Sequence, residues 1–253
     1  MNEAPQRQPH AALDVAGRLP KAEKIRVLLD APKKPGLRLL EVGTGSGALA
    51  HYFATQSDLR YDVDAVDVVD QRQVTESYRY RLVEGVHLPF PNGSFDIVIS
   101  NHVIEHVGDR ASQCAHLCEV ARVLKETGQA YLATPNRWQL VEPHFHLAFL
   151  SWLPARWRTS YLRWRKRGDI YDCEPLQLKE LESLLKKSHF TFQNACVPAI
   201  RHMLDVEVPS SWLLRLVGRL PHATLFALRG MCPTHIYLLK PTHSTGDGGC
   251  NDV

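Results

Sequence analysis

An α/β fold, with a mostly parallel sheet and helices on both faces, is what this sequence predicts, and three observations carry the prediction. Apolar, strand-like runs alternate with helix-like segments from about residue 37 onward. Three glycines, Gly43, Gly45 and Gly47, stand at alternate positions directly after the first of those runs. The chain has 253 residues, 44% of them hydrophobic, which suits one large domain that buries a core.

Residues 1–10 read as a disordered N-terminus, and the start contains no apolar stretch of the kind a secretory signal needs. Ala11 to Leu29 has helical spacing, interrupted at Pro20. A solvated linker over 31–36 leads into the first strand, Leu37–Val42, then the glycine turn, then a helix near Ser46–Thr55. Glycine takes positive φ without a Cβ penalty, so the chain turns sharply and a ligand can lie against bare backbone. The helix N-terminus beside it offers unpaired N–H groups. A loop needing only a tight turn leaves the same letters, so the glycines gain meaning only alongside the later strand ends.

The second strand, Tyr61–Asp67, ends on an acid twenty residues after Gly47, the distance at which a carboxylate meets a ribose diol in nucleotide-binding α/β units. Asp64 and Asp70 compete for that role, and a solvated loop acid is the plain alternative. The third strand, Tyr80–Val83, leads to Glu84 and Gly85, a candidate acceptor and N–H for an adenine ring. Leu88-Pro89-Phe90 then supplies an apolar wall before the turn at Pro91–Ser94. Strands Phe95–Ser100 and Ala130–Ala133 flank a helix at Ala111–Leu124. A helix at Pro175–Lys187, a strand at Phe190–Cys196 and a last strand at Thr234–Leu239 complete a count of seven strands. Residues 242–253 read as a disordered tail. Right-handed crossovers gather the strand ends, and hence the site, on one edge.

Residues 11–241 thus form a single domain with two insertions, 137–171 and 199–231, placed to form a lid over an acceptor. Four of the five tryptophans, Trp138, Trp152, Trp157 and Trp164, lie in the first, among Arg156, Arg158, Arg163, Arg165, Lys166 and Arg167. Trp157, Tyr161 and Trp164 share one helical face. That face either packs on the domain as a lid, lies on a membrane interface through 152–167, or holds an anionic acceptor with its basic side. The second insertion contains an amphipathic run at Trp212–Leu220.

Composition removes several classes. A net charge of +3 is too small to argue for nucleic acid, and no DNA partner is expected. No apolar run approaches the ~20 residues of a membrane span. The six cysteines form no CxxC pair, which points to a reducing, cytoplasmic setting without a disulfide framework.

Taken together, Glu41-Val42-Gly43-Thr44-Gly45-Ser46-Gly47, Asp67, Glu84-Gly85, Leu88-Pro89-Phe90-Pro91, Ser94-Phe95-Asp96 and Val103-Ile104-Glu105-His106-Val107 stand in the order and at the spacing of a known family. The chain resembles the class I S-adenosylmethionine-dependent methyltransferases, in the type 11-like group that acts on small molecules, lipids and quinones. Arg122-Val123-Leu124-Lys125 with Gly128 resembles that group's junction into the fifth strand. The resemblance covers residues 36–135, and more faintly 175–240. It implies a Rossmann-like seven-stranded sheet whose final strand, here Thr234–Leu239, runs antiparallel. It implies S-adenosyl-L-methionine as cofactor, with Glu41, Gly43, Thr44, Gly45 and Gly47 at its amino-acid end and Asp67 on the ribose. Glu84 and Gly85 would take the adenine, and Asn101 and His102 would lie beneath the methionine part. Ala48-Leu49-Ala50 fits this better than a triphosphate loop, which would place a lysine and a hydroxyl after Gly47.

Methyl transfer from a sulfonium is an in-line displacement that dissipates positive charge, so alignment supplies much of the acceleration. A base is needed where a hydroxyl must lose its proton. The candidates are His106, His144 and His146, with His102 a fourth; a histidine that merely holds its loop is the plain alternative for His106. Some quinone O-methyltransferases of this class bind a divalent cation near this stretch. Glu105 and His106 match that pattern, but His102 stands where an acid would, so no metal is expected. The reading is methyl transfer, with a hydroxyl of a small, lipid-like or glycan molecule as acceptor. An RNA-modifying enzyme and a cofactor-binding partner subunit without catalysis are the alternatives.

Overall fold

A computed structural model describes residues 14–29, 34–57, 59–206 and 216–242. The expected disordered N-terminus, most of the tail and residues 207–215 of the second insertion lie outside the described residues. Seven strands form one sheet: β1 (Arg38–Val42), β2 (Asp62–Asp67), β3 (Arg79–Leu82), β4 (Phe95–Asn101), β5 (Leu124–Pro135), β8 (Phe190–Asn194) and β9 (Thr234–Pro241). Their order is β3-β2-β1-β4-β5-β9-β8. Every pairing from β3 to β5 is parallel, and β9 runs antiparallel between β5 and β8. The seven-stranded, mostly parallel sheet read from the sequence is therefore present, with its last strand reversed. The two remaining strands, β6 (Val141–Glu142) and β7 (Leu147–Ala148), make a separate ribbon.

The central strands are buried on both sides, which is why they read as near-continuous apolar runs. One face packs on α3 (Arg110–Val123) and α5 (Leu178–Lys187), through Leu117, Val120, Leu181 and Leu185. The other packs on α1 (Leu19–Leu28), α2 (Ala48–Ala54) and α6 (Cys196–Val206), through Ile25, Phe53 and Ala199. Local chemistry sets the helix starts. Asp109 caps α3 by accepting from the Ser112 N–H at 2.9 Å. Gln177 and Glu180 form a reciprocal capping box on α5.

Two expectations change. Pro20 does not interrupt a helix; it lies in the first turn of α1, where its missing N–H costs nothing. The strand expected at Phe190–Cys196 stops at Asn194, and Cys196 opens α6, which packs against α1. Cys114, Cys173, Cys196 and Cys232 are free thiols.

The first insertion has a small core of its own. Phe145, Leu147, Leu150, Leu162 and Cys173 are buried together, with Tyr161 and Tyr171 against them. Its helix α4 (Ala155–Trp164) turns Arg158 and Leu162 inward. Trp157 and Trp164 remain 54% and 73% exposed, so the three aromatics of the predicted face do not pack as one. The second insertion supplies α6 and α7 (His222–Ala227), and the Asn136 amide ties its end down by donating to the Gly230 and Cys232 carbonyls, both at 2.8 Å. No described helix is long and apolar enough to cross a membrane.

Candidate active site

The glycine turn joins β1 to α2 at the carboxyl edge of the sheet. Gly43, Gly45 and Gly47 all have positive φ. A Cβ on Gly43 would collide with Val103, and one on Gly47 with the Val74 carbonyl and the Tyr78 hydroxyl. The turn is thus packed from outside by the loops after β4 and β2. Glu41 is buried beneath it and accepts from the Thr44 hydroxyl at 2.7 Å. Burial pushes the Glu41 carboxyl up to about 8, against the pull of that hydrogen bond and of the Arg18 charge.

Asp67, the last residue of β2, accepts from the Gly45 N–H and from the Val68 N–H, each at 2.8 Å. Its rivals are occupied elsewhere. Asp64 is buried within the strand and paired to Arg38 at 3.1 Å and Arg79 at 2.8 Å, and Asp70 is paired to Arg72 at 2.8 Å. The end of β3 adjoins Asp67, because the Val83 N–H donates to the Asp67 carbonyl. Glu84 and Gly85 come next, both exposed, and nothing lies within 4 Å of where a Gly85 side chain would stand. Arg122 explains the next motif: it donates to the Leu88 and Phe90 carbonyls at 2.8 and 2.7 Å, while Glu119 accepts from the Leu88 N–H. These contacts from α3 fix the apolar wall.

Asn101 ends β4, and His102 comes after it in a left-handed conformation, φ +59°. Both line a cavity of about 230 Å³ with Ala133 and Thr234 from the neighbouring strands and with Lys21, Lys24 and Ile25 from α1. Sequence reasoning missed this use of α1; its lysines give no local signal that the helix folds back over the site.

Glu105 is the second centre. Its side chain is fully buried, and three imidazoles surround it: His102 Nδ1 at 3.3 Å, His106 Nε2 at 3.9 Å and His144 Nε2 at 4.0 Å from Oε1. The Thr134 hydroxyl donates to its other oxygen at 3.2 Å. Burial alone would raise the Glu105 carboxyl, but the His102 hydrogen bond and the His102 and His106 charges hold it below the ordinary value. His144 comes from the β6–β7 turn, which Glu142 shapes by accepting from the His144 and Phe145 N–H groups at 2.9 and 2.7 Å. The His106 and His144 rings meet edge to face, 4.7 Å between centroids. Cys173, which sequence reasoning did not single out, lies 3.7 Å from His106 Nδ1. It is carried there by Glu174, whose N–H donates to the Glu105 carbonyl at 2.8 Å. His146 stands apart, exposed and with φ +52°. Of the three histidines read as candidate bases, the structure therefore brings two together.

A glycine turn at the switch point of such a sheet, an acid at the next strand end and a polar cluster after β4 define a nucleotide-type cofactor fold. Residues 40–132 match the family model described as a methyltransferase domain. A Mycobacterium tuberculosis relative named as a probable S-adenosylmethionine-dependent methyltransferase is 35% identical over 112 residues, which is 42% of this chain and 39% of that protein. A ubiquinone biosynthesis O-methyltransferase of Rhodopseudomonas palustris is 33% identical over 142 residues, 53% of this chain and 50% of that one. The chain thus spans half or less of these two relatives. Among solved structures, one from a complex of the Haloferax volcanii Trm112 methyltransferase activator with a methyltransferase superposes with a TM-score of 0.57 at 16% identity, over 90% of this chain and 94% of that one. Residues 40–132 thus carry the signature of a methyltransferase domain, and the chain is similar over that part to class I S-adenosylmethionine-dependent methyltransferases.

Proposed function

We propose that the protein transfers a methyl group from S-adenosylmethionine to a hydroxyl of a small, lipid-like or glycan acceptor. The observation that carries the reading is the Glu105 cluster: a buried carboxylate with the imidazoles of His102, His106 and His144 around it, next to the cavity at Asn101 and His102. The name of the Rhodopseudomonas relative, an O-methyltransferase, supports a hydroxyl acceptor.

The residues fit the cofactor. Gly45 and Gly85 present bare backbone with positive φ, and Glu41 holds a buried carboxyl beneath the turn. Glu41 and Thr44 suit an ammonium group at the turn, Asp67 the ribose hydroxyls, and Glu84 with Gly85 the adenine edge. When bound, the cofactor supplies a methyl already activated on sulfur. What this chain must add is alignment and a destination for the acceptor's proton. Asn101 and His102 form the floor, and His106 and His144 stand ready to take the proton, with Glu105 stabilising the imidazolium that results. His146 is left for contact with the acceptor rather than for the proton. The outward face of α4, with Trp157 and Trp164 among arginines, suits an acceptor presented at a membrane surface.

A panel of hydroxylated lipids, quinols and glycans incubated with methyl-labelled cofactor tests the reading. Labelled product is expected with at least one class. His144→Ala should then lower kcat by about 10²–10⁴-fold while cofactor affinity stays unchanged. Full activity in that variant would overturn the assignment of the proton to this cluster.

A further inference from the structure

We propose that His106, His144 and Cys173 form a binding site for a zinc-class divalent ion. The three ligating atoms all lie within 4.8 Å of one another. They come from three separate segments: the turn after β4, the β6–β7 hairpin and the extended stretch before α5. Two of the three, His144 and Cys173, lie outside the Ser100–Val107 stretch whose sequence pattern bears on a cation.

The donor set selects the metal. Two imidazoles and a thiol are borderline-to-soft ligands, which favour zinc over magnesium or calcium. In a tetrahedral zinc site, bond lengths of about 2.05 Å to nitrogen and 2.3 Å to sulfur put those two ligand atoms about 3.6 Å apart. His106 Nδ1 and Cys173 Sγ are 3.7 Å apart without any adjustment. The widest separation closes by about an ångström of ring rotation, within reach of the partly exposed His144.

The surroundings match as well. His106 turns Nδ1 to the thiol and Nε2 towards the buried Glu105 carboxylate. A carboxylate behind a ligating imidazole orients the ring and raises its basicity. Glu142 and Asp172 add negative charge beside the Cys173 thiol, a field in which a dication is welcome. Three protein ligands leave a fourth position free, the arrangement of sites that bind an oxygen ligand. On the reading proposed above, that oxygen is the acceptor hydroxyl; with His106 and His144 taken up as ligands, its proton passes to His102, which Glu105 backs at 3.3 Å. The binding of the ion itself does not depend on that reading.

Cobalt(II) titration of the chelator-treated full chain, followed by absorption, tests the site without an activity assay. One equivalent should bind, with tetrahedral ligand-field bands and a thiolate charge-transfer band. Cys173→Ala should abolish the charge-transfer band, and Cys232→Ala should retain it. Glu105→Gln should weaken binding by about 10–100-fold. Should Cys173→Ala fail to fold, His144→Ala, which truncates a partly exposed ring, must weaken binding at least as much. No saturable uptake, or spectra and affinity indifferent to Cys173 and His144, would overturn the proposal. Methyl transfer that persists unchanged in metal-free protein would remove the ion from the reaction and leave the transferase reading standing. A bound ion with no transfer to any acceptor would do the reverse.

Discussion

Gly47 shows how much of the turn is decided by single atoms. Its left-handed φ of +78° already disfavours a side chain, and an added Cβ would run into the Val74 carbonyl, which is backbone and cannot swing aside. Gly85 has a similar φ of +65° but open space around it. Gly85→Ala should therefore cost about 1 kcal/mol, the backbone penalty alone, and Gly47→Ala clearly more. Equilibrium urea unfolding of both variants measures the difference; equal losses would mean that the loop over Gly47 yields freely. The need for glycine here was legible in the sequence, from the alternate spacing. Its steric reason was not, because Val74 and Tyr78 reach the turn from a loop with no regular pattern. The acid at the end of β2 was legible by distance from Gly47; the structure sets Asp67 against the Gly45 N–H and ties Asp64 to Arg38 and Arg79. Cys173 was not legible. It stands 67 residues from His106, and the two are brought together by the Glu174–Glu105 backbone bond and by the Gln113 amide, which donates to the Ile104 and Glu174 carbonyls.

At the scale of the element, strands announced themselves better than their ends. β1, β2 and β4 are within a residue of expectation because they are apolar runs bounded by turns. β5 extends well beyond Ala130–Ala133, because the polar Lys125-Glu126-Thr127 and the glycine after them carry little periodicity. Helix α4 was legible as a helix, but its orientation was not. The shared aromatic face left a packed lid, a membrane contact and an anionic acceptor all open; the fold buries Arg158 and Leu162 and leaves Trp157 and Trp164 outside. Arg158 donates to the Leu153 carbonyl at 2.9 Å and lies over Tyr171, so a charge holds the inner side. If the outer side meets lipid, anionic vesicles should sediment the protein and zwitterionic ones should not. Each exposed arginine near an anionic surface contributes about 1 kcal/mol, so Arg163→Ala with Arg165→Ala should weaken binding roughly thirtyfold at low salt. Equal binding to both vesicle types, or none, would exclude this face as a membrane contact.

For the whole molecule, two buried groups, one in strand β1 and one in helix α3, give stability an opposed dependence on pH. Glu41, under the glycine turn, is raised by burial from 4.5 to about 8. Between those values the folded protein keeps a proton that the unfolded chain has lost, so stability is full below about pH 4.5 and falls as pH rises through about 8. His116 behaves in the opposite sense. It is buried in α3, 3.0 Å from the Ser100 hydroxyl, and burial lowers it from 6.5 to about 4. Its contribution is full above about pH 6.5 and is lost as pH falls through about 4. The two slopes offset each other between about 4.5 and 6.5, and above that range the Glu41 contribution falls with pH while the Cys196 thiol, held well below its ordinary value by its hydrogen bonds, acts in the opposite sense. Tm measured against pH in the cofactor-free protein should show the Glu41 share as an alkaline limb that Glu41→Gln flattens. A cationic ligand at the turn favours the ionised carboxyl, so saturating S-adenosylmethionine should also flatten the limb. Binding near pH 7 should then release a proton, seen as a calorimetric enthalpy that varies with the ionisation enthalpy of the buffer. If Glu41→Gln keeps the alkaline limb, or the binding enthalpy is the same in every buffer, the carboxyl under the turn is not the group that senses the cofactor.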